Sequence, residues 1–268
     1  MKQISFFELL GLVENKKSEA STHRSIYSKV GSLLGMRRGI VDMWNAFMLK
    51  DAIFSENDMP LCPTTATTPP KSLISWREAK TIHKREMRRG CKNYHVDAFV
   101  HFYLDDQHFD GIRSSIWLFP KKAIDILYHF EGLIAPDFST CADFPDPLKR
   151  WNFYRMNAFG YWAGKCGLQV ISNARWGYSN TWVYCWDSIC EGDMIAIGTV
   201  ASDLSRLENR ELFEMGIREL IRQKHPSLII VYGSAKYKVF DEAREQGCQI
   251  IAFPSETSIR FARGCHHE

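Results

Sequence analysis

Aspartates stand in this chain where short apolar runs stop. The run Leu133-Ile134-Ala135 ends on Pro136 and Asp137, with Ser139 two residues further on. "VDAFVHFYL" ends on Asp105 and Asp106, with Asp110 just beyond, and "TWVYCW" ends on Trp186 and Asp187. Carboxylates brought together at such run ends suit two kinds of chemistry. They can hold a divalent cation, Mg or Mn, through hard oxygen ligands, or they can work as an acid/base pair. The expected catalytic set is Asp105, Asp106, Asp137 and Asp187, with Asp105, Asp106 and Asp137 as the metal ligands. Expected ligand contacts are Asp110, Ser139, Asn152, Arg155, Trp176, Trp186, Tyr232, Ser234 and Glu256. Trp176, Trp186 and Tyr232 are suited to stack on a base or a sugar. Each aspartate also has a plainer use, because aspartate caps helices and makes turns. The functional case therefore rests on the set, and the set depends on the elements that position it.

From Val96 onward, short apolar runs alternate with longer segments of helical periodicity. "VDAFVHFYL", "LIAP", "GLQVIS", "TWVYCW", "MIAIGTV", "SLIIVYG" and "CQIIAF" have strand character. "PKKAIDILYHFEG", "LKRWNFYRMNAFGYWAGKCG", "RELFEMGIRELIRQKHP" and "KYKVFDEAREQG" have helical character. This alternation predicts an α/β fold with parallel strands and crossover helices. "SLIIVYG" and "CQIIAF" are almost wholly apolar, as strands covered on both faces are. The architecture expected is an abbreviated (β/α) barrel, or a mixed, mostly parallel sheet. The mixed form is suggested by the links "NARWGYSN" and "DSICEGD", which are short for a crossover helix and would make hairpins. In parallel α/β folds the carboxyl ends of the strands share one opening. That gathers Asp105, Asp106, Asp137, Asn173, Arg175, Trp176, Asp187, Thr199, Tyr232 and Glu256 at one rim. On the helix that carries "WNFYR", spacing predicts Trp151, Tyr154 and Phe159 in the core, with Asn152 and Arg155 outside it and Arg155 free to pair with Asp137.

The organisation expected is a helical extension over residues 1–55, a Thr/Pro-rich linker or draped loop over 56–74, a basic helix over 75–92 and the α/β domain over 93–268. Ser75 and Glu78 form a capping box for the basic helix, and Gly90 ends it. Charge is uneven. Met1 to His95 carry 16 Lys+Arg against 9 Asp+Glu, and the remainder carries 18 against 22. Arg77, Lys80, Lys84, Arg85, Arg88 and Arg89 lie on the basic helix, where they could track a nucleic-acid backbone; a solvated face is the plainer reading. The 8 cysteines include no CxxC pair, and a chain of 268 residues does not need disulfides. Reduced thiols in a cytoplasmic protein are expected. The C-terminal Cys-His-His-Glu lacks a second ligand cluster. No apolar run approaches the roughly 18 residues of a membrane span, and the N-terminus reads as a helix, not a signal peptide. No phosphate-loop, dinucleotide or paired-histidine zinc motif occurs.

Taken in series, "HFYLDDQHFDGIRSSIWLFP", "APDFST", "RWNFYRMNAFGYWAGKCGLQVISNARWG", "VYCWDSI", "AIGTV", "FEMGIREL" and "LIIVYG" resemble the family labelled domain of unknown function 4417. The resemblance runs from about Ile40 to Glu256, and "PDFS", "WNFYR" and the "YG" strand end are its most specific parts. It implies a mobile-element setting (phage, prophage or plasmid) and the host cytoplasm, but no reaction. Two function classes follow. One is an enzyme, metal-dependent if it meets phosphate through a carboxylate rim, acting on nucleotides or nucleic acid. The other is a non-catalytic module that binds nucleic acid through its basic helix, or a host or phage protein.

Overall fold

The computed structural model describes residues 41–264, with side chains to residue 261. The expected helical extension therefore lies largely outside the described residues, as do the "CHHE" tail and the N-terminal segment weighed as a leader. The part that is described, expected as helix over residues 41–54, forms only a 3-10 turn at Ala46–Leu49.

Seven parallel strands follow: β1 Leu73–Ser75, β2 Val96–His101, β3 Phe130–Ile134, β4 Gln169–Asn173, β5 Met194–Gly198, β6 Leu228–Tyr232 and β7 Gln249–Phe253. Their order in the sheet is their order in the sequence. Between and after them run α1 Trp76–Arg88, α2 Pro120–Leu127, α3 Asp146–Lys165, α4 Leu207–Lys224, α5 Lys238–Glu245 and α6 Glu256–Gly264. Sequential order with parallel pairing sends every crossover to the same side, and the sheet curls into a half-barrel. Alternate residues face opposite ways along each strand. Phe99, Ile134, Ile171, Ala196 and Ile230 pack together on one face, and Val100, Leu133, Val170, Ile195 and Ile229 pack with the helices on the other. The two ends of the curl approach each other where α1 and α6 begin, through the Arg77–Glu256 ion pair at 2.8 Å.

Two expectations fail here. "TWVYCW" is not a strand: residues 182–188 are a run of turns in which Tyr184, Cys185 and Trp186 are all buried. Three consecutive buried side chains cannot come from a strand with one wet face. With that strand gone, the two supposed hairpin links merge into one crossover, residues 174–193, without an α-helix, and the sheet is parallel throughout. The seventh strand is β1, inside the segment expected as linker and cap, paired with β2 from Leu73↔Phe99 to Ser75↔His101. The Ser75 half of the expected capping box is present, since the Ser75 side chain accepts from the Glu78 backbone N–H at 3.3 Å, and Gly90 follows the helix with a φ of 77°.

The Thr/Pro segment has a structural task. β4 pairs with β3 through Gln169–Ile171 but with β5 only through Ser172 and Asn173. Beside the early half of β4, Thr64, Thr65 and Ala66 fill the seam. The N–H groups of Thr65 and Ala66 donate to the Val170 carbonyl at 2.9 and 3.1 Å. The Thr65 hydroxyl accepts from the Val170 N–H at 2.9 Å. The Thr64 hydroxyl accepts from the Ser172 N–H at 3.0 Å and donates to the Met194 carbonyl at 2.6 Å. Threonine hydroxyls thus stand in for missing ladder groups, which buried backbone polar atoms require.

Candidate functional site at the strand C-terminal ends

β3 runs into Pro136 and Asp137, and Asp137 is 5% exposed. A carboxylate that deep must be answered. It accepts from Asn173 Nδ2, at the end of β4, at 2.9 Å, and it pairs with the Arg175 guanidinium two residues later. Asn173 Oδ1 accepts in turn from the Tyr103 hydroxyl at 3.0 Å. Burial pushes the Tyr103 pKa well up, and the Asp137 charge adds to it. Tyr103 has room because Gly198 faces it: a Cβ there would come within 2.6 Å of the Tyr103 ring.

A second chain of contacts lies alongside. Asp106 accepts from the Ser139 hydroxyl at 2.9 Å and from the Ser139 N–H at 3.2 Å. Burial raises the Asp106 pKa and the Ser139 bonds oppose it, while the Asp137 and Asp110 charges push it further up. Asn152 donates to the Ser139 carbonyl and accepts from Arg155 Nη2 at 2.7 Å. Arg155 Nη1 donates to Asp110 at 2.6 Å, and its guanidinium lies 4.1 Å from the centre of the Phe138 ring. Asp110 also accepts from the Ser115 hydroxyl at 2.8 Å.

The structure thus brings together Asp106, Asp110, Asp137, Ser139, Asn152 and Arg155. It places the other expected residues differently. Asp105 is exposed and precedes the 3-10 turn Asp106–His108. Asp187 lies in the turn-rich crossover and accepts from Asn57 Nδ2 at 2.7 Å. Trp186 is 0% exposed and Tyr232 is stacked on Tyr103 at 5.4 Å, so neither ring is open to a ligand. Ser234 is exposed, and Glu256 is tied to Arg77. The core expectation on α3 is overturned in part: Phe159 is buried, but Trp151 and Tyr154 are only half-buried, while Asn152 and Arg155 are 3% and 8% exposed. Arg155 pairs with Asp110 and not with Asp137. These polar groups go inside because each has a fixed partner. His101, buried beside Tyr232, is held neutral by burial, with its pKa down to about 4.

A cation fits poorly here. Arg175 and Arg155 already answer Asp137 and Asp110, and among the described residues no three His, Cys, Asp or Glu side chains are placed to hold a metal ion.

Next to Arg175 a pocket of about 240 Å³ opens between the ends of β4 and β5 and helix α4. Trp176, Leu212 and Phe213 form its apolar wall, and Thr140, Ser202 and Asn209 its polar one. The Thr140 hydroxyl is buried and has no hydrogen-bond partner among the described residues. Trp176 lies flat enough against α4 that a Cβ on Gly216 would sit 2.0 Å from its indole nitrogen. Thr140, Arg175 and Asn173 carry this site: Asn173 and Arg175 were expected at the rim, though not as ligand contacts, and Thr140 was not expected there. Asn173 and Arg175 do stand at a run end, and that signal was present in the sequence.

The family described as domain of unknown function (DUF4417) matches residues 56–254. The chain belongs to that family. The matched span holds all seven strands of this DUF4417 fold, the Thr/Pro seam and the whole rim network. Two relatives are each named "Gene 1 protein". That of Mycobacterium phage L5 is 33% identical over 139 residues, 52% of this chain and 58% of its own. That of Mycobacterium phage D29 is 32% identical over 178 residues, 66% of this chain and 60% of its own. The chain thus spans about three fifths of the length of these relatives. No solved structure matches. Among the described residues no helix is long and apolar enough to cross a membrane.

Proposed function

We propose that this DUF4417 protein works on a small, uncharged or singly charged ligand of nucleoside type, held in the strand-end pocket. The observation that carries this reading is charge balance at an opening of that size. The one guanidinium lining the pocket, Arg175, is already answered by Asp137. The remaining lining offers an aromatic wall and hydroxyl or amide groups. That combination suits a flat ring and a sugar rather than a polyphosphate. A pocket of about 240 Å³ sits below the roughly 300–1,000 Å³ of drug-sized sites, which favours a ligand of nucleoside size or smaller. The unpartnered Thr140 hydroxyl is a ready hydrogen-bond partner for it. Asp106, whose pKa burial raises, holds Ser139 directly before Thr140 and supplies a carboxyl able to carry a proton at the edge of the same network.

Cys141 provides the test. It is exposed and lines the pocket, and Cys91, also exposed, does not. Alkylation of both thiols is followed by mass spectrometry with and without a panel of nucleosides. A bound nucleoside slows Cys141 at least tenfold and leaves Cys91 unchanged, and Arg175→Met removes the protection. If no nucleoside protects Cys141 at millimolar concentration, the reading fails.

A further inference from the structure

A second opening, of about 360 Å³, lies between α1, α2 and the loop that joins β2 to α2. Its lining has a different electrical character. Lys80, Arg113 and Lys122 line it and no carboxylate does. Among the described residues none of the three has an ion-pair partner, although 15 such pairs occur elsewhere in the described chain. Lys80 is held in place: its ammonium donates to the His108 carbonyl at 2.8 Å and lies 5.7 Å from the centre of the Trp76 ring. Burial lowers its pKa, and a nearby anion would relieve that cost. Trp76, also in the lining, is 2% exposed, and among the described residues its indole N–H has no acceptor. Every charged or orphaned group at this opening is therefore a donor. Beside them stand two apolar side chains that folding leaves uncovered, Phe119 at 41% and Ile112 at 87% exposure.

Cations continue beyond the pocket. Lys80, Lys84 and Arg88 share one face of α1 at four-residue spacing. Lys84 and Arg88 are exposed, and among the described residues neither has an ion-pair partner. The other basic residues on the helix are engaged, Arg77 with Glu256 and both Arg85 and Arg89 with Glu86. The free charge is thus a row leading out of a pocket that has an exposed aromatic ring at its mouth. A lone small anion would need only the pocket; a row of this kind suits a repeated anion.

We propose that this opening binds a nucleoside 5′-phosphate unit, with the phosphate against Lys80, Arg113 and Lys122 and the base against Phe119 and Ile112, and that the row Lys84–Arg88 takes the next phosphates of a single strand. Base stacking on an exposed aromatic ring tolerates any sequence, and phosphate contacts supply salt-dependent affinity. The same chemistry comes from a free mononucleotide or from one unit of an oligonucleotide, and the two are told apart by titrating the full chain with AMP, with adenosine and with a fluorescent twelve-residue oligo-dT. The expected result is that AMP and the oligonucleotide bind, adenosine does not bind at this opening, and the oligonucleotide weakens steeply with salt, by about 0.7 per phosphate contacted in the log–log slope. Arg113→Glu with Lys122→Glu, both exposed, weakens AMP and oligonucleotide at least tenfold. Lys84→Glu with Arg88→Glu weakens the oligonucleotide alone. Arg175→Met changes neither, which keeps this site separate from the strand-end pocket. If AMP binds and the oligonucleotide does not, the free-mononucleotide form stands and the strand path is discarded. The proposal is overturned if neither probe binds at low salt, if the Arg113/Lys122 variant binds both unchanged, or if adenosine competes with AMP as well as AMP itself does.

Discussion

The two openings are built from opposite solutions to the same problem. At the strand ends, the deepest charges are paired, Asp137 with Arg175 and Asp110 with Arg155, and Asp106 is held by the Ser139 hydroxyl and N–H instead. Between α1 and α2, Lys80, Arg113 and Lys122 line one opening, and among the described residues no carboxylate pairs with them, although Lys80 donates to the His108 carbonyl and Lys122 lies 5.0 Å from the centre of the Phe119 ring. The difference reflects where each lies. Buried carboxylates and guanidinium groups cannot persist unpaired, so the rim balances itself before any ligand arrives. The helical surface is wet, and unpaired cations there cost little. A charge-balanced pocket selects by shape and hydrogen bonding, and an unbalanced one by the sign of its ligand.

Asp110 joins the two openings, since it accepts from Arg155 on the rim side and from Ser115, which lines the second opening. Removing it is the strongest way to break the comparison. Asp110→Ala strands the Arg155 guanidinium, whose side chain is only 10% exposed, and should cost about 3 kcal/mol, since an uncompensated buried charge costs roughly 3–5. Urea denaturation measures this, and Asp110→Ala combined with Arg155→Met should recover part of the loss. A loss under about 1 kcal/mol would mean that the rim charges are solvated and the contrast is false. Both openings should weaken as ligand sites in the single variant.

Gly216→Ala sharpens the contrast instead. Alanine in place of glycine inside a helix normally stabilises by about 1 kcal/mol. Here the new methyl meets the Trp176 indole, and the overpacking should turn the sign to a loss of about 1–2 kcal/mol. Nucleoside protection of Cys141 should fall, while AMP binding between α1 and α2 stays as it was. A stabilised variant with intact protection would show that Trp176 moves freely and does not form the wall.

The smallest effect belongs to the seam and should touch neither opening. Asp193 accepts from the Thr64 N–H at 2.9 Å, and burial raises its pKa from 3.8 to about 7, against the pull of that bond and of Lys224. The folded chain therefore holds this proton more tightly than the unfolded chain. The resulting stability is complete below pH 4 and is lost as pH rises toward 7. Asp193→Asn keeps an acceptor for Thr64 and removes the titration. It should gain about 1–2 kcal/mol over the parent at pH 8 and show a flatter melting temperature between pH 4 and 7. An unchanged pH profile would place the proton elsewhere.

Much of this fold was legible, for identifiable reasons. "MIAIG" and "LIIVY" are strands largely covered on both faces, as their apolar composition predicts, and the matching helices carry periodic stripes; "QIIAF" is a strand too, but as the last in the sheet it has no buried residue, so the expectation that it is covered on both faces fails. Two segments misled. "TWVYCW" has strand composition, yet its Tyr184, Cys185 and Trp186 all go inside, so side-chain volume prevailed over backbone propensity. β1 is three residues long, too short to show a period, and lies between prolines and a helix cap. The rim was legible as a set of run ends, and Asp106, Asp137 and Ser139 do meet there. The partners were not, because Arg155 finds Asp110 45 positions away, and no local pattern encodes a pairing of that span. The burial of Asn152 and Arg155 follows from those partners, which is why spacing alone assigned them to the wrong face.

The seam also bears on the order of events in synthesis. Thr64 and Thr65 are bonded to groups 103 to 130 positions further along the chain. On a ribosome they emerge well before β4 and β5 exist. The Thr65 hydroxyl and the N–H groups of Thr65 and Ala66 must stay hydrated until Val170 has been made, and the Thr64 hydroxyl waits for Met194. The earliest part of the matched domain to leave the exit tunnel is therefore among the last to lock, and closure of the half-barrel waits for a loop of more than a hundred residues, whose closing entropy must be met before the contact repays it. A stalled or truncated chain that ends before β5 could join Thr65 to Val170 but would lack the Met194 carbonyl that Thr64 needs.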